Sequence, residues 1–269
     1  MTTFFSLLET RVGTVGSLLC VGLDPHLSLL AEPSASAARA FCLDIIRQTA
    51  PYAAAFKPNA AFFEVFGPSG WEALAEVIAA ARRTGALVIL DAKRGDIAST
   101  AEAYARSAFD RLGAQAVTLN PYLGYDAVAP FIGDPAKGAF LLCKTSNPGS
   151  ADLQDVEVGR WTVDGGRPVL LYEYVARLAQ GWNTRGNIGL VVGATQPEAL
   201  RRVRAAAPDL WFLSPGVGAQ GGDLAAALRA GLRPDGMGML INVSRGIARS
   251  ENPRQAAISL RDAIRQVVG

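Results

Sequence analysis

The sequence predicts an α/β fold, a single (β/α)8 barrel of the TIM type that occupies residues 1–269 as one domain. The first observation is a series of eight short apolar runs bounded by turn residues, typical of parallel strands buried on both faces. The second is that longer stretches of helical periodicity separate these runs. Eight strand–helix alternations favour a closed barrel over an open doubly wound sheet. The eight runs cover 17–24, 53–58, 86–91, 116–120, 139–146, 188–193, 211–216 and 237–243.

Each run is rich in aliphatic residues and stops at a polar residue, a glycine or a proline. In chain order the runs read SLLCVGLD, AAAFKP, ALVILD, AVTLN, AFLLCKTS, IGLVVG, WFLSPG and MGMLINV. Between them, stretches such as WEALAEVIAAARRTG (71–85) and QPEALRRVRAAAP (196–208) repeat apolar residues at helical spacing, with charges on the opposite face. These patterns predict strands and helices respectively.

Composition excludes several classes of partner. Half of the 269 residues are apolar, enough for a sizeable core, and the formal net charge of +2 predicts no general attraction to nucleic acid or an anionic membrane. No apolar run reaches the length of a membrane helix, and Glu9 and Arg11 interrupt any signal-peptide core. The three cysteines are widely spaced within apolar segments, which predicts buried free thiols in a reducing cytoplasm.

One connection is long for a compact domain. Residues 147–167 read NPGSADLQDVEVGRWTVDGGR and carry no convincing periodicity. A loop of this length after the fifth predicted strand is expected at the face where barrel active sites lie, as a lid or binding segment. A solvated insertion is the alternative.

Polar residues concentrate at the carboxyl ends of the predicted strands. Loops converge over the barrel axis there, and the opposite ends hold nothing comparable. This asymmetry predicts the location of the functional site. The residues are Asp24, Lys57, Asp91, Lys93, Asn120, Ser146, Ser214 and Arg245.

The segment LDAKRGDIAST (90–100) is the strongest candidate for catalysis. Asp91 and Lys93 are two residues apart at a strand end, so both side chains point to one side, and Asp96 follows after a short turn. A lysine between two carboxylates stays protonated and can neutralise an anion or deliver a proton. The alternative is a solvated ion pair, with Asp96 at a helix start beside a capping box at 99–102.

Lys57 and Asp24 end the first two strands and extend this charge pattern. Separately, Asp24 before proline is compatible with a simple turn, and Lys57 before proline with a side chain that reaches solvent. Together with Asp91 and Lys93 they predict an alternating network of lysines and aspartates, which is stable only when every charge has a partner.

A glycine-rich turn after the seventh strand predicts a phosphate site. SPGVGAQGGD (214–223) offers successive backbone N–H groups before a helix, Gln220 adds an amide donor, and Arg245 follows the eighth strand close by. Phosphate sites after strands seven and eight recur in barrels. Gly216, Gly218 and Gly221 also spell GxGxxG, but a dinucleotide fingerprint should open a Rossmann unit and only one strand follows here.

Several chemistries are excluded by residue content. His26 is the single histidine, which excludes Ser-His-Asp, Cys-His and multi-histidine metal sites, and it reads as a loop residue. The interleaved lysines compete with a divalent metal for the carboxylates. We therefore predict a site with no metal.

These residues resemble a known family. Asp91-x-Lys93-x-x-Asp96-Ile97-x-x-Thr100 is similar to the signature of orotidine 5′-phosphate decarboxylases. The similarity continues in chain order, and KTSNPG and NPYLG resemble the bacterial branch sometimes called type 2. The further matching segments are GLDP (22–25), FKPNAAFFE (56–64), TLNPYLG (118–124), KTSNPG (144–149), SPGVGAQGGD (214–223) and NVSRGI (242–247).

The resemblance implies decarboxylation of orotidine 5′-phosphate to UMP and CO₂ in de novo pyrimidine synthesis, without a cofactor. Lys93 would protonate C6 of the pyrimidine and Asp91 would sit against the substrate carboxylate. Lys57 and Asp96 would complete the charged network. The equivalents of Asp96, Ile97 and Thr100 enter the partner subunit's site in this family, so a homodimer is implied.

The resemblance also implies the binding residues. Asp24 would contact the ribose, Ser146 the pyrimidine ring, and Gln220 and Arg245 the phosphate. Ser244 stands where some relatives have glycine. The remaining candidate substrate-binding residues are Asn120, Pro215, Gly221 and Ser244.

Three alternatives remain open. A metal-dependent phosphosugar barrel lyase is the first, since such enzymes share the first half of the DxKxxDIxxT motif. A class I aldolase would use a lysine but not the flanking carboxylates. A non-catalytic protein that binds a phosphorylated ligand would have no need of the Asp–Lys–Asp set.

Overall fold

A computed structural model, which describes residues 2–163, 166–217 and 221–268, has a closed barrel of eight parallel strands. The predicted TIM barrel is therefore confirmed, and each of the eight apolar runs coincides with one barrel strand. The strands are β1 (Leu19–Leu23), β2 (Ala55–Pro58), β3 (Leu87–Arg94), β4 (Ala116–Leu119), β5 (Gly138–Lys144), β8 (Ile188–Val192), β9 (Trp211–Pro215) and β10 (Met239–Val243). Their order around the barrel is β1-β10-β9-β8-β5-β4-β3-β2.

Helices surround the barrel, and their ends follow ordinary capping rules. Ser34 caps the helix that begins at Ala35, and the Asp223 carboxylate accepts the Ala226 N–H at 3.0 Å. The helix predicted at 71–85 extends from Pro68 to Arg83. The helices are α1 (Phe4–Val15), α2 (Ala35–Thr49), α3 (Ala61–Glu64), α4 (Pro68–Arg83), α5 (Ala98–Arg106), α6 (Tyr125–Ile132), α7 (Ala151–Gln154), α8 (Leu171–Trp182), α9 (Pro197–Ala206), α10 (Leu224–Gly231), α11 (Arg245–Ala248) and α12 (Pro253–Val268).

Helix α1 closes the amino-terminal end of the barrel. The Phe5 ring packs edge-on against Phe140 at 5.6 Å and stacks on Trp211 at 6.1 Å. A Cβ on Gly138 would lie 2.5 Å from the Phe4 ring, so this close approach requires a glycine. The buried core is continuous from helix α1 to the middle of the barrel. The open end of the barrel is therefore the one formed by the carboxyl ends of the strands.

The connection at 147–167 has more regular structure than its sequence suggested. It contains a short 3₁₀ turn and α7, and its last part is the first strand of an antiparallel hairpin, β6 (Glu157–Val163) and β7 (Arg167–Leu170). The Asp164-Gly165-Gly166 sequence between the strands is a hairpin signal, but the ladder shifts register between Val158 and Thr162, which breaks the alternation that would have predicted it. No helix in the described part of the chain is long and apolar enough to cross a membrane.

Candidate active site

Four charged side chains form a continuous row at the carboxyl ends of β1, β2 and β3. The Lys57 Nζ lies 2.7 Å from Asp91 Oδ2 and 3.9 Å from Asp24 Oδ1. The Lys93 Nζ lies 2.6 Å from the other oxygen of Asp91. Asp91 therefore bridges two ammonium groups. We call Asp24, Lys57, Asp91 and Lys93 the charged row.

Burial distinguishes the two lysines. The Lys57 side chain is 6% exposed, so it does not reach solvent as the simpler interpretation suggested. The Lys93 side chain is 50% exposed although its partner Asp91 is only 10% exposed. Lys93 is thus the member of the row whose ammonium group is most accessible to a ligand.

Mutual attraction keeps the buried part of the row charged. Burial would raise the pKa of Asp91, but the ammonium groups of Lys57 and Lys93 outweigh it and hold that pKa well below its ordinary value. Burial would likewise lower the pKa of Lys57, but the carboxylates of Asp24 and Asp91 raise it above its ordinary value. Asp91 and Lys57 consequently carry full charges at neutral pH.

Thr118 in β4 anchors this row, and sequence reasoning missed it. Its hydroxyl donates to Asp91 Oδ1 at 3.0 Å and accepts the backbone N–H groups of Ala92 at 3.1 Å and Lys93 at 3.0 Å. One proton and two lone pairs are the full capacity of a hydroxyl. Lys93 has a φ of +46°, which costs a non-glycine residue free energy, and these hydrogen bonds hold it there.

A cavity of about 420 Å³ opens above the row, which is within the usual range for a small-molecule site. Asp24, Lys57, Asp91 and Lys93 all line it. The Asp24 Oδ1 atom is buried and has no hydrogen-bond partner among the described residues. A buried carboxylate oxygen that accepts no hydrogen bond is an unsatisfied acceptor, and a ligand hydroxyl can donate the missing hydrogen bond.

Part of the predicted phosphate site lies on the β9 and β10 side of the same cavity. Pro215, Ser244 and Arg245 line it. No acidic side chain in the described ranges pairs with Arg245, so its guanidinium is available for an anion. Ser244 Oγ is buried and, within those ranges, accepts and donates no hydrogen bond.

The glycine-rich turn beside Arg245 bends back on itself. Gly216 has a φ of +105° and Gly221 one of +80°, and the Gly222 N–H donates to the Gly216 carbonyl at 3.1 Å. Gly221 does not line the cavity. Gln220 and Gly218 lie outside the described residues. Because the fold is a closed barrel, the GxGxxG match is not a Rossmann fingerprint.

The third wall of the cavity comes from the end of β5. Ser146, which the resemblance assigns to the pyrimidine ring, lines the cavity together with Thr145 and Asn147. Asn120 does not: its side chain is exposed and accepts the Tyr122 N–H at 3.0 Å.

Asp96, Ile97 and Thr100 also lie outside the cavity of this chain. The Asp96 carboxylate accepts the Ile97 N–H at 2.8 Å, and the structure records no ion pair between Asp96 and Lys93. Lys93 therefore has one carboxylate partner within the described chain, not the two that the spacing suggested. The capping box at 99–102 is wrong too, because α5 begins at Ala98 and Ser99 lies inside its first turn.

Ile97 instead lines a separate groove of about 750 Å³ between α5 and α6. Its side chain is 52% exposed, and Tyr125 across the groove is 49% exposed. Tyr122, which lies between β4 and α6, is 76% exposed. The Asp96 region thus lies beside an exposed apolar surface of the same molecule.

Other cavity residues were assigned no role from the sequence. His26, which read as a loop residue, does follow β1 in a loop, but it lines the cavity and packs edge-on against Phe62 at 4.3 Å. Asn59 and Asn242 line the cavity as well. Asn59 and Phe62 lie in the segment FKPNAAFFE, one to four residues after β2 ends. Their position just after a strand end was the signal in the sequence that could have identified them as cavity residues.

Fold and site together define a TIM-barrel enzyme whose active site is built from alternating ammonium and carboxylate groups. The profile of the family described as "Orotidine 5'-phosphate decarboxylase / HUMPS family" matches residues 17–260. The chain belongs to this family. The family predicted from the DxKxxDIxxT motif is therefore confirmed.

Relatives agree over nearly the whole chain. The orotidine 5'-phosphate decarboxylase of Roseiflexus castenholzii is 50% identical over 268 residues, which cover 98% of this chain and 95% of the relative. The solved Leishmania donovani OMP decarboxylase is 55% identical with a TM-score of 0.88, over 99% of both chains. Leishmania donovani UMP synthase is 56% identical with a TM-score of 0.90, but this chain spans 57% of its length.

Proposed function

We propose that the chain decarboxylates orotidine 5′-phosphate to UMP and CO₂, as part of pyrimidine synthesis and without a cofactor. The observation that carries the proposal is the half-exposed ammonium of Lys93, held 2.6 Å from Asp91 in a cavity that Arg245 also lines. The ammonium group proposed to act on the reacting end of the substrate and the guanidinium group proposed to bind its phosphate thus line the same cavity.

The proposed chemistry needs no covalent intermediate. The bond between C6 and the carboxylate breaks, its electron pair stays on C6, and CO₂ leaves. Lys93 stabilises the developing negative charge and then transfers a proton to C6. Preorganised charges of this kind account for much of the rate enhancement in enzymes, since they need not reorganise during the reaction.

The remaining members of the charged row serve this step. Asp91 sits beside the substrate carboxylate, where repulsion disfavours the bound substrate relative to the transition state. Lys57 holds Asp91 ionised and in place. Asp24 accepts a hydrogen bond from a ribose hydroxyl through its Oδ1 atom, which accepts no hydrogen bond within the described chain.

Phosphate and base complete the binding. Arg245 binds the phosphate, with Pro215 and Ser244 beside it, and Ser146 contacts the pyrimidine ring. Gln220, which lies outside the described residues, is the further phosphate ligand that the family resemblance implies. The phosphate is remote from the bond that breaks, so its binding energy can be expressed in rate as well as in affinity.

We further propose that the active unit is a homodimer. Asp96, Ile97 and Thr100 lie outside their own cavity, next to the exposed apolar surface of Ile97, Tyr122 and Tyr125. Pairing of two such surfaces would bury them and bring each Asp96 region to the site of the other chain. The three buried free cysteines support the cytoplasm as its compartment.

The test of the activity is the ultraviolet absorbance of orotidine 5′-phosphate, followed with EDTA present. The wild type should remove it, whereas a metal-dependent lyase would stop in EDTA and a mere binding protein would leave it unchanged. Lys93→Ala should lower turnover by more than about 10³-fold and leave UMP affinity within a small factor. Lys137→Ala, immediately before β5 and outside the cavity, is the control. Substantial activity in purified Lys93→Ala would contradict the assignment.

Subunit mixing tests the dimer. Lys93→Ala and Asp96→Asn should each be inactive alone, because each site lacks one group. After the two are unfolded together and refolded, about one site in four contains both an intact Lys93 and an intact partner Asp96, so activity should return. No recovery, or a monomer in light scattering, would refute a shared site.

A further inference from the structure

A second buried ammonium group lies next to the cavity, and the proposed chemistry does not use it. Lys144 is the last residue of β5 and its side chain is 2% exposed. Its Nζ atom lies 2.7 Å from Asp155 Oδ1 and 3.4 Å from Ser150 Oγ. The ammonium also lies 5.5 Å from the centre of the Tyr172 ring.

The same stretch of chain makes a second connection one residue further on. The Thr145 N–H donates to Gln154 Oε1 at 2.9 Å, and Gln154 Nε2 donates back to Thr145 Oγ1 at 2.8 Å. The Thr145 hydroxyl then donates to Asn147 Oδ1 at 2.7 Å. We call the pairs Lys144–Asp155 and Thr145–Gln154 the clasp.

The clasp joins two parts of the connection that follows β5. On one side is the segment 145–147, which lines the cavity. On the other is the end of α7, which leads directly into β6. An ion pair with one buried member holds its geometry firmly, since separation would leave a charge without a partner in a poorly solvated place.

We propose that Lys144 and Asp155 are positioning residues for the base end of the substrate. The clasp fixes Thr145, Ser146 and Asn147 as a rigid wall of the cavity, so that Ser146 is preorganised against the pyrimidine ring. This inference rests on the proposed function, because it takes the ligand to be a pyrimidine nucleotide.

The proposal predicts a selective loss. Arg245 and the glycine-rich turn are on other strands, so phosphate binding does not depend on the clasp. Asp155→Asn should therefore weaken UMP binding at least about tenfold and leave ribose 5-phosphate binding within about twofold. It should also raise KM more than it lowers kcat, because Lys93 and Asp91 are untouched. Asp155→Glu keeps the charge and should restore most of the UMP affinity.

A matched control exists at the opposite end of the barrel. Glu9 is 40% exposed and pairs with Arg233 at 2.9 Å, whereas Asp155 is 39% exposed and pairs with Lys144 at 2.7 Å. Glu9→Gln thus removes an equally exposed carboxylate far from the cavity, and its partner Arg233 keeps Asp235 as a countercharge at 2.9 Å. It should change the melting temperature without changing the ratio of UMP affinity to ribose 5-phosphate affinity.

A double variant guards against misfolding. Asp155→Asn leaves the Lys144 ammonium buried without a countercharge, whereas Lys144→Met with Asp155→Asn removes both charges and keeps the apolar stem. The double variant should fold and still show the selective loss of UMP affinity. The measurement is calorimetric titration with UMP and with ribose 5-phosphate.

Two results would overturn the inference: unchanged UMP affinity in the folded double variant, or equal loss for both ligands. The failure of the proposed function would look different. In that case the wild type itself would not convert orotidine 5′-phosphate or bind UMP.

Discussion

Replacing Thr118 by valine removes one oxygen atom from the centre of the site and keeps nearly the same shape. The side chain is almost fully buried, with 1% of the residue exposed. Its hydroxyl holds the Asp91 carboxylate and the backbone N–H groups of Ala92 and Lys93. The variant therefore affects both charged partners of the proposed proton transfer without altering either.

The magnitude follows from those three hydrogen bonds. A bond to an ionised carboxylate contributes about 1.5–3 kcal/mol, and each buried N–H left without an acceptor costs about 1–3 kcal/mol. Ala92 and Lys93 are partly exposed, so water replaces some of that loss. We expect Thr118→Val to reduce the free energy of unfolding by about 2–4 kcal/mol. Because the φ of +46° at Lys93 is then less firmly held, kcat should fall about 10²-fold.

The assay pairs urea unfolding with steady-state kinetics, and Thr118→Ser is the matched variant because it keeps the hydroxyl. Serine should recover most of kcat even though it loses a methyl group from the core. KM for orotidine 5′-phosphate should change little in either variant, because the phosphate contacts are elsewhere. If Thr118→Val kept wild-type kcat, or if serine and valine were equally impaired, the hydroxyl would not position Lys93.

Further predictions concern the phosphate contact, the pH dependence of stability and the cysteines. Arg245→Ala should weaken UMP binding about 10²-fold and leave uridine binding unchanged, as calorimetry with both ligands can measure, since the lost contact is to phosphate. The free energy of unfolding should fall as pH drops below about 4, because unfolded Asp91 takes up a proton near its ordinary pKa of 3.8 and folded Asp91 does so only at lower pH. Lys57 has a raised pKa, so its contribution to the free energy of unfolding is complete below its ordinary pKa of 10.5 and is lost only as the pH rises beyond that value. Denaturant titrations between about pH 5 and 9 should therefore show no loss of stability from the Lys57–Asp91 pair. All three thiols should be inert to a thiol reagent in the native protein and react on unfolding, since each is buried: Cys20, Cys42 and Cys143.

The barrel could be predicted because its signals are local. Each strand is a short apolar run, and period two places Asp91 and Lys93 on one side where β3 ends. The pairing of Lys57 with Asp91 also follows, since neighbouring parallel strands bring their carboxyl ends together. The glycine-rich turn and Arg245 were expected on one side of the site for the same reason.

Thr118 could not be found in this way. Inside AVTLN it looks like an ordinary β-branched strand residue. Its role in positioning the charged row depends on three hydrogen bonds to residues of β3. Only the register between the two strands, which shifts between Leu90 and Arg94, places its hydroxyl there. The absence of an ion pair between Asp96 and Lys93 within the described chain could not be predicted for a related reason: the positive φ at Lys93 is part of a backbone path that no local pattern encodes.

The charge balance of the cavity gives Asp96 its significance. Within one chain the charged row holds two aspartates and two lysines, so its formal charges cancel, and Arg245 adds one positive charge on the phosphate side. A neutral row would attract a substrate carboxylate towards Lys93 nearly as well as it stabilises the carbanion that follows. One further carboxylate, supplied by the partner's Asp96 region as we propose, would make the reacting end negative while Lys93 keeps its proton. The negative charge of the site would then repel the substrate carboxylate, whereas it would not repel the neutral CO₂ that forms. The Lys93 ammonium group would remain beside C6 and stabilise the negative charge there. The position of Asp96 outside its own cavity is thus what a site assembled from two chains requires.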